Sequence, residues 1–249
     1  MSRTLSLNFC IWRQESFDSA GAFREYQLID VSVDLSLLEA LDQLNDGLII
    51  KGERPVYFDN DCREGICGSC GFLVNGQAHG PRQATTVCQI YLRHFEDQDT
   101  LVLEPWRAKA FPLIQDLVVD RSAFDRLIIS GGYYSVDTSP SFDGDTLSVS
   151  PQQAFSAFET ATCIGCAACV AGCRNASPSL FVAAKLAHLG QLPQGKLGRA
   201  RRAQAMKKQM FQEGFGSCSN NLECEAVCPK QISADWISWV NRETSQRII

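Results

Sequence analysis

Leu5, Leu7 and Phe9 alternate with polar neighbours, and Tyr26 to Val33 repeats the two-residue period. Leu5 to Trp12 and Tyr26 to Val33 therefore read as paired strands, separated by a polar connection containing Asp18 and Gly21. The period then lengthens. Leu37, Leu38, Leu41 and Leu44 recur at helical spacing within Asp34 to Asn45, which predicts an amphipathic helix lying on that sheet. The run from Phe72 to Gln77 carries Asn75-Gly76, a pair that adopts the positive φ angles of a type I′ hairpin turn. Leu101 to Pro105 predicts a last strand, ended by proline. Beyond it, residues 106–132 read as mostly helical, and Tyr133 to Gln153, rich in Ser, Asp, Gly and Pro, reads as an exposed loop. From Ala154 the pattern is helical and broken by cysteine turns. The expected architecture is α+β, with a sheet-based domain over 1–105 and an all-α domain over 106–249.

Composition narrows the chemistry. The net charge is -5 and the pI about 5.3, so there is no polyanion-binding footprint and nucleic acid is not an expected partner. Twelve cysteines in 249 residues have to be disulfides or ligands. The first ten residues hold no apolar signal core, so an oxidising compartment is not expected and ligands are favoured. No run approaches the roughly 18 apolar residues of a membrane span. The best stretch, Leu180 to Leu189, is interrupted by Lys185 and His188.

Cys62, Cys67 and Cys70 form C-x4-C-x2-C, the front half of a plant-type [2Fe–2S] pattern. Such a loop must bring three thiolates to one rhomb and turn backbone N–H groups toward sulfur, and Gly65, Gly68 and Gly71 permit that backbone. The fourth ligand must come from elsewhere, and Cys88 is the only later cysteine in this domain. A zinc loop using Cys67 and Cys70 as a knuckle is the competing reading.

Cys163, Cys166, Cys169 and Cys173 form C-x2-C-x2-C-x3-C, a bacterial ferredoxin run in which the fourth cysteine serves a second cluster. A second run follows as Cys218, Cys224 and Cys228-Pro229, with Asn221 where its second cysteine would stand. Exchanging the fourth cysteines assigns Cys163, Cys166, Cys169 and Cys228 to a [4Fe–4S] cluster. Cys173, Cys218 and Cys224 are left with three thiolates, which suits a [3Fe–4S] cluster. A [4Fe–4S] cluster completed by water or another side chain is the alternative at that site.

A plant-type pattern followed by this pair of runs resembles the iron–sulfur subunit of succinate:quinone oxidoreductases, the succinate dehydrogenases and fumarate reductases of respiratory complex II. Residues 62–71, Leu113 to Asp120 and the Cys228-Pro229-Lys230 ending carry the likeness. The resemblance implies a β-grasp ferredoxin domain before a helical one. It also implies a flavoprotein partner with FAD, a membrane-anchor partner with quinone, and a peripheral place on the cytoplasmic face of a bacterial inner membrane. The [2Fe–2S] site would face the flavoprotein and the three-cysteine site the quinone.

Three departures qualify it. An insertion around His79-Gly80-Pro81 lengthens the gap between Cys70 and Cys88. Arg174-Asn175 follows Cys173 where many ubiquinone-linked relatives have proline, with Ser177 and Pro178 in place of a tryptophan, and Ser219 follows Cys218 where some have histidine. The quinone type is thereby left open, a menaquinone-linked subtype included, and Arg174, Asn175 and Ser219 become candidates for the quinone side. Two other functions compete: a subunit of another flavoprotein such as a soluble thiol-linked fumarate reductase, and a zinc-stabilised interaction module.

The remaining features are read more plainly. Lys196, Arg199, Arg201, Arg202, Lys207 and Lys208 form a basic stretch read as a solvated helix face, with anionic lipid or an acidic partner as the alternative. Cys10 reads as a small apolar strand residue, and His79, His94 and His188 as structural or surface groups. There is no catalytic nucleophile, phosphate loop or dinucleotide fingerprint, so substrate chemistry is expected on another chain.

Overall fold

In the computed structural model, residues 3–133, 149–192 and 198–245 are described. The predicted loop at 133–153 and Lys196 of the basic stretch fall largely or wholly outside them. β1 (Thr4–Arg13) pairs antiparallel with β2 (Ala22–Ser32) and parallel with β5 (Thr100–Glu104). β3 (Leu73–Val74) and β4 (Gln77–Ala78) complete a five-stranded sheet in the order β2-β1-β5-β3-β4. The alternation predicted for β1 is realised, with Leu5, Leu7, Phe9 and Ile11 buried. Asn75 and Gly76 take φ angles of 51° and 75°, as the hairpin turn requires.

The covering helix, α1 (Leu37–Ile50), begins three residues later and ends five later than the leucine spacing suggested. Ser36 caps it: its hydroxyl accepts from the Glu39 N–H, and Glu39 in turn accepts from the Ser36 N–H at 2.7 Å. Leu37, Leu38, Leu41, Leu44 and Leu48 face the sheet and make the first hydrophobic core with the β1 residues.

The expectation of mostly helix over 106–132 is corrected. That segment holds a two-stranded hairpin, β6 (Leu113–Gln115) and β7 (Val118–Val119), turned at Asp116 with φ 46°. Only then comes the short α2 (Ser122–Leu127), followed by a π-helical turn, Ile128–Gly132. The hairpin wins because Asp116 is pinned to the first core. Its carboxylate, with no solvent exposure, accepts from Gln14 N and Tyr57 N and pairs with Arg13 and Arg54.

The remaining elements among the described residues are helices: α3 (Pro151–Ala161), α4 (Ala168–Ala171), α5 (Ser179–Gly190), α6 (Arg199–Gln212), α7 (Glu223–Ala226) and α8 (Asp235–Ser245). A second core gathers Phe111, Phe124, Phe181, Phe215 and Met206. Within it Phe124 and Phe181 stack 3.9 Å apart. The segment between the sheet and α2 serves both cores, since Trp106 and Phe111 enter the second while Leu117 enters the first.

Candidate metal centres

Cys62, Cys67 and Cys70 lie on one irregular loop after α1, and Cys88 sits on a 3-10 turn, Val87–Gln89, beside it. Cys70 and Cys88 are buried and close enough to share a hydrogen bond, which raises the Cys70 thiol and lowers the Cys88 thiol. Thr86 and Gln89 also direct polar groups at the Cys88 sulfur, 3.2 and 3.7 Å away. At the open side, Glu64 N–H donates to Cys62 Sγ at 3.3 Å, and backbone N–H groups of Glu64 and Ile66 with the Cys67 thiol bring Cys62 down to about 7. Donors aimed at sulfur favour thiolates.

Cys163, Cys166, Cys169 and Cys228 rim one recess. Burial pushes the Cys166 thiol up to about 12 and the Cys169 thiol well above its ordinary value. Thiols as buried as Cys166 and Cys169 are costly as free anions and favour a cation that neutralises them. Cys173, Cys218 and Cys224 rim a second recess, whose wall includes Ser219, Asn220, Asn221 and Leu222. The two recesses share two short helices. Cys169 lies in α4 and Cys173 two residues beyond its end, while Cys224 lies in α7 and Cys228 two beyond its end. Asn221 thus lies at the three-cysteine recess, where the spacing of the run anticipated it.

The sets rim spaces rather than converge on points: among the described residues no three His, Cys, Asp or Glu side chains are close enough to hold one ion. Donor chemistry, N–H groups directed at sulfur and tight glycine turns together fit iron–sulfur clusters. Gly68 shows the last of these. It has φ +73°, and a Cβ there would stand 2.4 Å from the Ile164 carbonyl oxygen, so the first loop touches the second.

Arg174, Asn175 and Ser219 come together on the exposed rim of the three-cysteine recess. Asn175 Nδ2 donates to Ser219 Oγ at 3.1 Å and to the Ser217 carbonyl at 2.9 Å, and Arg174 Nε pairs with Glu223 at 3.3 Å. Sequence reasoning missed three residues that hold the loops. Trp106 Nε1 donates to the Cys166 carbonyl, Arg121 to Gly68 O and Gly165 O, and Lys185 Nζ to Cys163 O. None lies inside a cysteine motif, so spacing gave no signal for them.

The other candidates sort simply. Cys10 is half-buried in β1. His79, 1% exposed, is packed edge-on against Trp106. The basic stretch is divided: Arg199 pairs with Glu243 and Lys207 donates to Asn241, whereas Arg201 and Lys208 are exposed. Among the described residues no helix is long and apolar enough to cross a membrane.

Comparison with known proteins finds iron–sulfur domains over both halves of the chain. A 2Fe-2S iron–sulfur cluster binding domain matches residues 8–126, and a 4Fe-4S dicluster domain matches residues 159–232. The succinate dehydrogenase iron–sulfur subunit of Bacillus subtilis is 29% identical over 98% of this chain and 95% of its own length. The fumarate reductase iron–sulfur subunit of Haemophilus influenzae is 31% identical over 79% of this chain and 76% of its own. A chain of the Mycobacterium smegmatis Sdh1 complex in the apo form superposes with a TM-score of 0.70 at 20% identity, covering 99% of this chain and all of that one, which shows a shared fold.

Proposed function

This chain belongs to the family of succinate dehydrogenase and fumarate reductase iron–sulfur subunits, and on that premise we propose that it relays single electrons between the FAD of a flavoprotein partner and a quinone at a membrane-anchor partner. Cys62, Cys67, Cys70 and Cys88 would hold a [2Fe–2S] cluster within a domain spanning 1–105. Cys163, Cys166, Cys169 and Cys228 would hold a [4Fe–4S] cluster, and Cys173, Cys218 and Cys224 a [3Fe–4S] cluster, within a domain spanning 106–249. When bound, the three clusters supply a row of one-electron carriers that couples two-electron flavin and quinone chemistry without direct contact.

The observation that carries this reading is the arrangement of the three cysteine sets: the first loop touches the second at Gly68 and Ile164, and the second and third share α4 and α7. The chain's own residues then do three things. Thr86, Gln89 and the loop N–H groups direct hydrogen at the first set's sulfurs. The second core packs against the middle set. Asn221 withholds a thiolate from the last, leaving less negative charge there and making it the preferred electron acceptor. Arg174, Asn175 and Ser219 offer polar groups at the rim for a quinone head group. The place of work is the cytoplasmic face of a bacterial membrane, the chain held there by its anchor.

Anaerobic purification with partner subunits tests this. EPR should show a [3Fe–4S] signal in the oxidised complex and a [2Fe–2S] signal on reduction, and a membrane anchor should co-purify. A colourless protein containing zinc and no acid-labile sulfide would end the proposal.

A further inference from the structure

Arg121 stands between the first two cysteine loops. One of its guanidinium nitrogens donates to the Gly68 carbonyl at 2.6 Å and lies 3.4 Å from the Gly165 carbonyl. Gly68 falls between Cys67 and Cys70, and Gly165 between Cys163 and Cys166, so one side chain bonds to both loops. It sits in an open groove with Ile66, Cys67, Asp125, Cys163 and Lys185.

Arg121 differs from the arginines that are tied to a carboxylate. Arg13 and Arg54 pair with Asp116, Arg63 with Asp42, Arg126 with Glu213 and Arg199 with Glu243. Among the described residues Arg121 has no carboxylate within 4 Å. Asp59 feels it at longer range, its carboxyl pushed up by burial and pulled down by Arg121. His79, also in its field, is driven toward the neutral form by burial and by Arg121 itself. Lys185 is the other cation near the second loop, donating to Cys163 O at 2.8 Å and to neither end of the first.

Reducing a cluster adds a negative charge, and a fixed cation nearby favours the reduced form. A half-buried cation is also screened less by salt than a surface one. We propose that Arg121 is a shared tuning residue, raising the reduction potentials of the [2Fe–2S] and [4Fe–4S] sites together. This rests on the cluster assignment above, but not on the identity of either partner. Arg121 acts through the loops and touches no substrate, so it is a positioning residue.

The test is a redox titration followed by EPR on the cluster-loaded complex, for the wild type, R121Q, R121K and K185Q. In R121Q both midpoint potentials should fall. In R121K, which keeps the charge, both should stay near the wild-type values. K185Q should lower the [4Fe–4S] potential alone. An unshifted potential at either site in R121Q, or an R121K protein as low as R121Q, overturns the proposal. Should R121Q fail to load its clusters, R121K decides: potentials held near wild type support the shared charge, and both lowered overturn it. A wild-type complex lacking the signals would bring down the cluster assignment itself, which is a different result from clusters present and unshifted.

Discussion

Trp106 Nε1 donates a hydrogen bond to the carbonyl of Cys166 at 3.2 Å, and both residues are buried. That bond ties the end of the sheet's central strand β5 to the second cysteine loop. The same indole covers Gly71 just after the first loop, where an added Cβ would come within 2.6 Å of it. One side chain thus keeps a strand end and two cysteine loops in register.

Replacing Trp106 by Phe keeps the ring but leaves the Cys166 carbonyl without its donor. A buried, unsatisfied carbonyl costs about 1–3 kcal/mol. W106F should therefore unfold at lower denaturant concentration than the wild type, and loss of [4Fe–4S] absorbance should accompany the transition. An unchanged midpoint would show that the bond contributes nothing.

His79 gives a pH signature. Burial first, then the Arg121 charge, lower its pKa from 6.5 to about 4, and neither ring nitrogen has a hydrogen-bond partner. Between those values the unfolded chain binds a proton that the folded chain refuses, so stability falls as pH drops through 6.5 and stops falling for this reason below about 4. The full effect is about 3 kcal/mol. H79F removes it: its unfolding midpoint should exceed that of the wild type increasingly as pH goes from 7 to 4.5. Parallel curves for the two proteins would refute the assignment.

Asp116 holds the hairpin β6–β7 against the first core. With Asp116 replaced by Ala, the Arg13 guanidinium, only 9% exposed, loses its counter-charge and two backbone N–H groups lose their acceptor. The cost should be about 3 kcal/mol, at the lower end of the range for a broken buried pair because Arg54 is 37% exposed and can be hydrated. Chemical denaturation measures it, and a change under about 1 kcal/mol counts against the role.

Asn221 lines the three-cysteine recess. N221C supplies the missing fourth thiolate, so the oxidised-state [3Fe–4S] signal should vanish and the potential of that centre should fall. An EPR spectrum identical to wild type would mean that the substituted side chain does not reach the cluster.

Much of this was legible in the chain because its carriers are local. The alternation in β1 and the leucine spacing of α1 are short-range periods that report which face is buried, and both elements formed. Asn75-Gly76 set its own turn through allowed φ angles. The hairpin at 113–119 was missed because its stability comes from Arg13 and Arg54, far away in sequence, and from no local period.

The cysteine spacings by themselves set out an expected grouping into three sets and the odd composition of the third, because thiolate ligands must sit at fixed intervals around a cluster of fixed size. Tertiary structure alone decided that Gly68 touches Ile164 and that Trp106, Arg121 and Lys185 support the loops. The reason is range. A motif encodes what neighbouring residues can reach along one backbone, whereas hydrogen bonds to loop carbonyls and the field of an unpaired cation join residues tens of positions apart, and only packing brings them together.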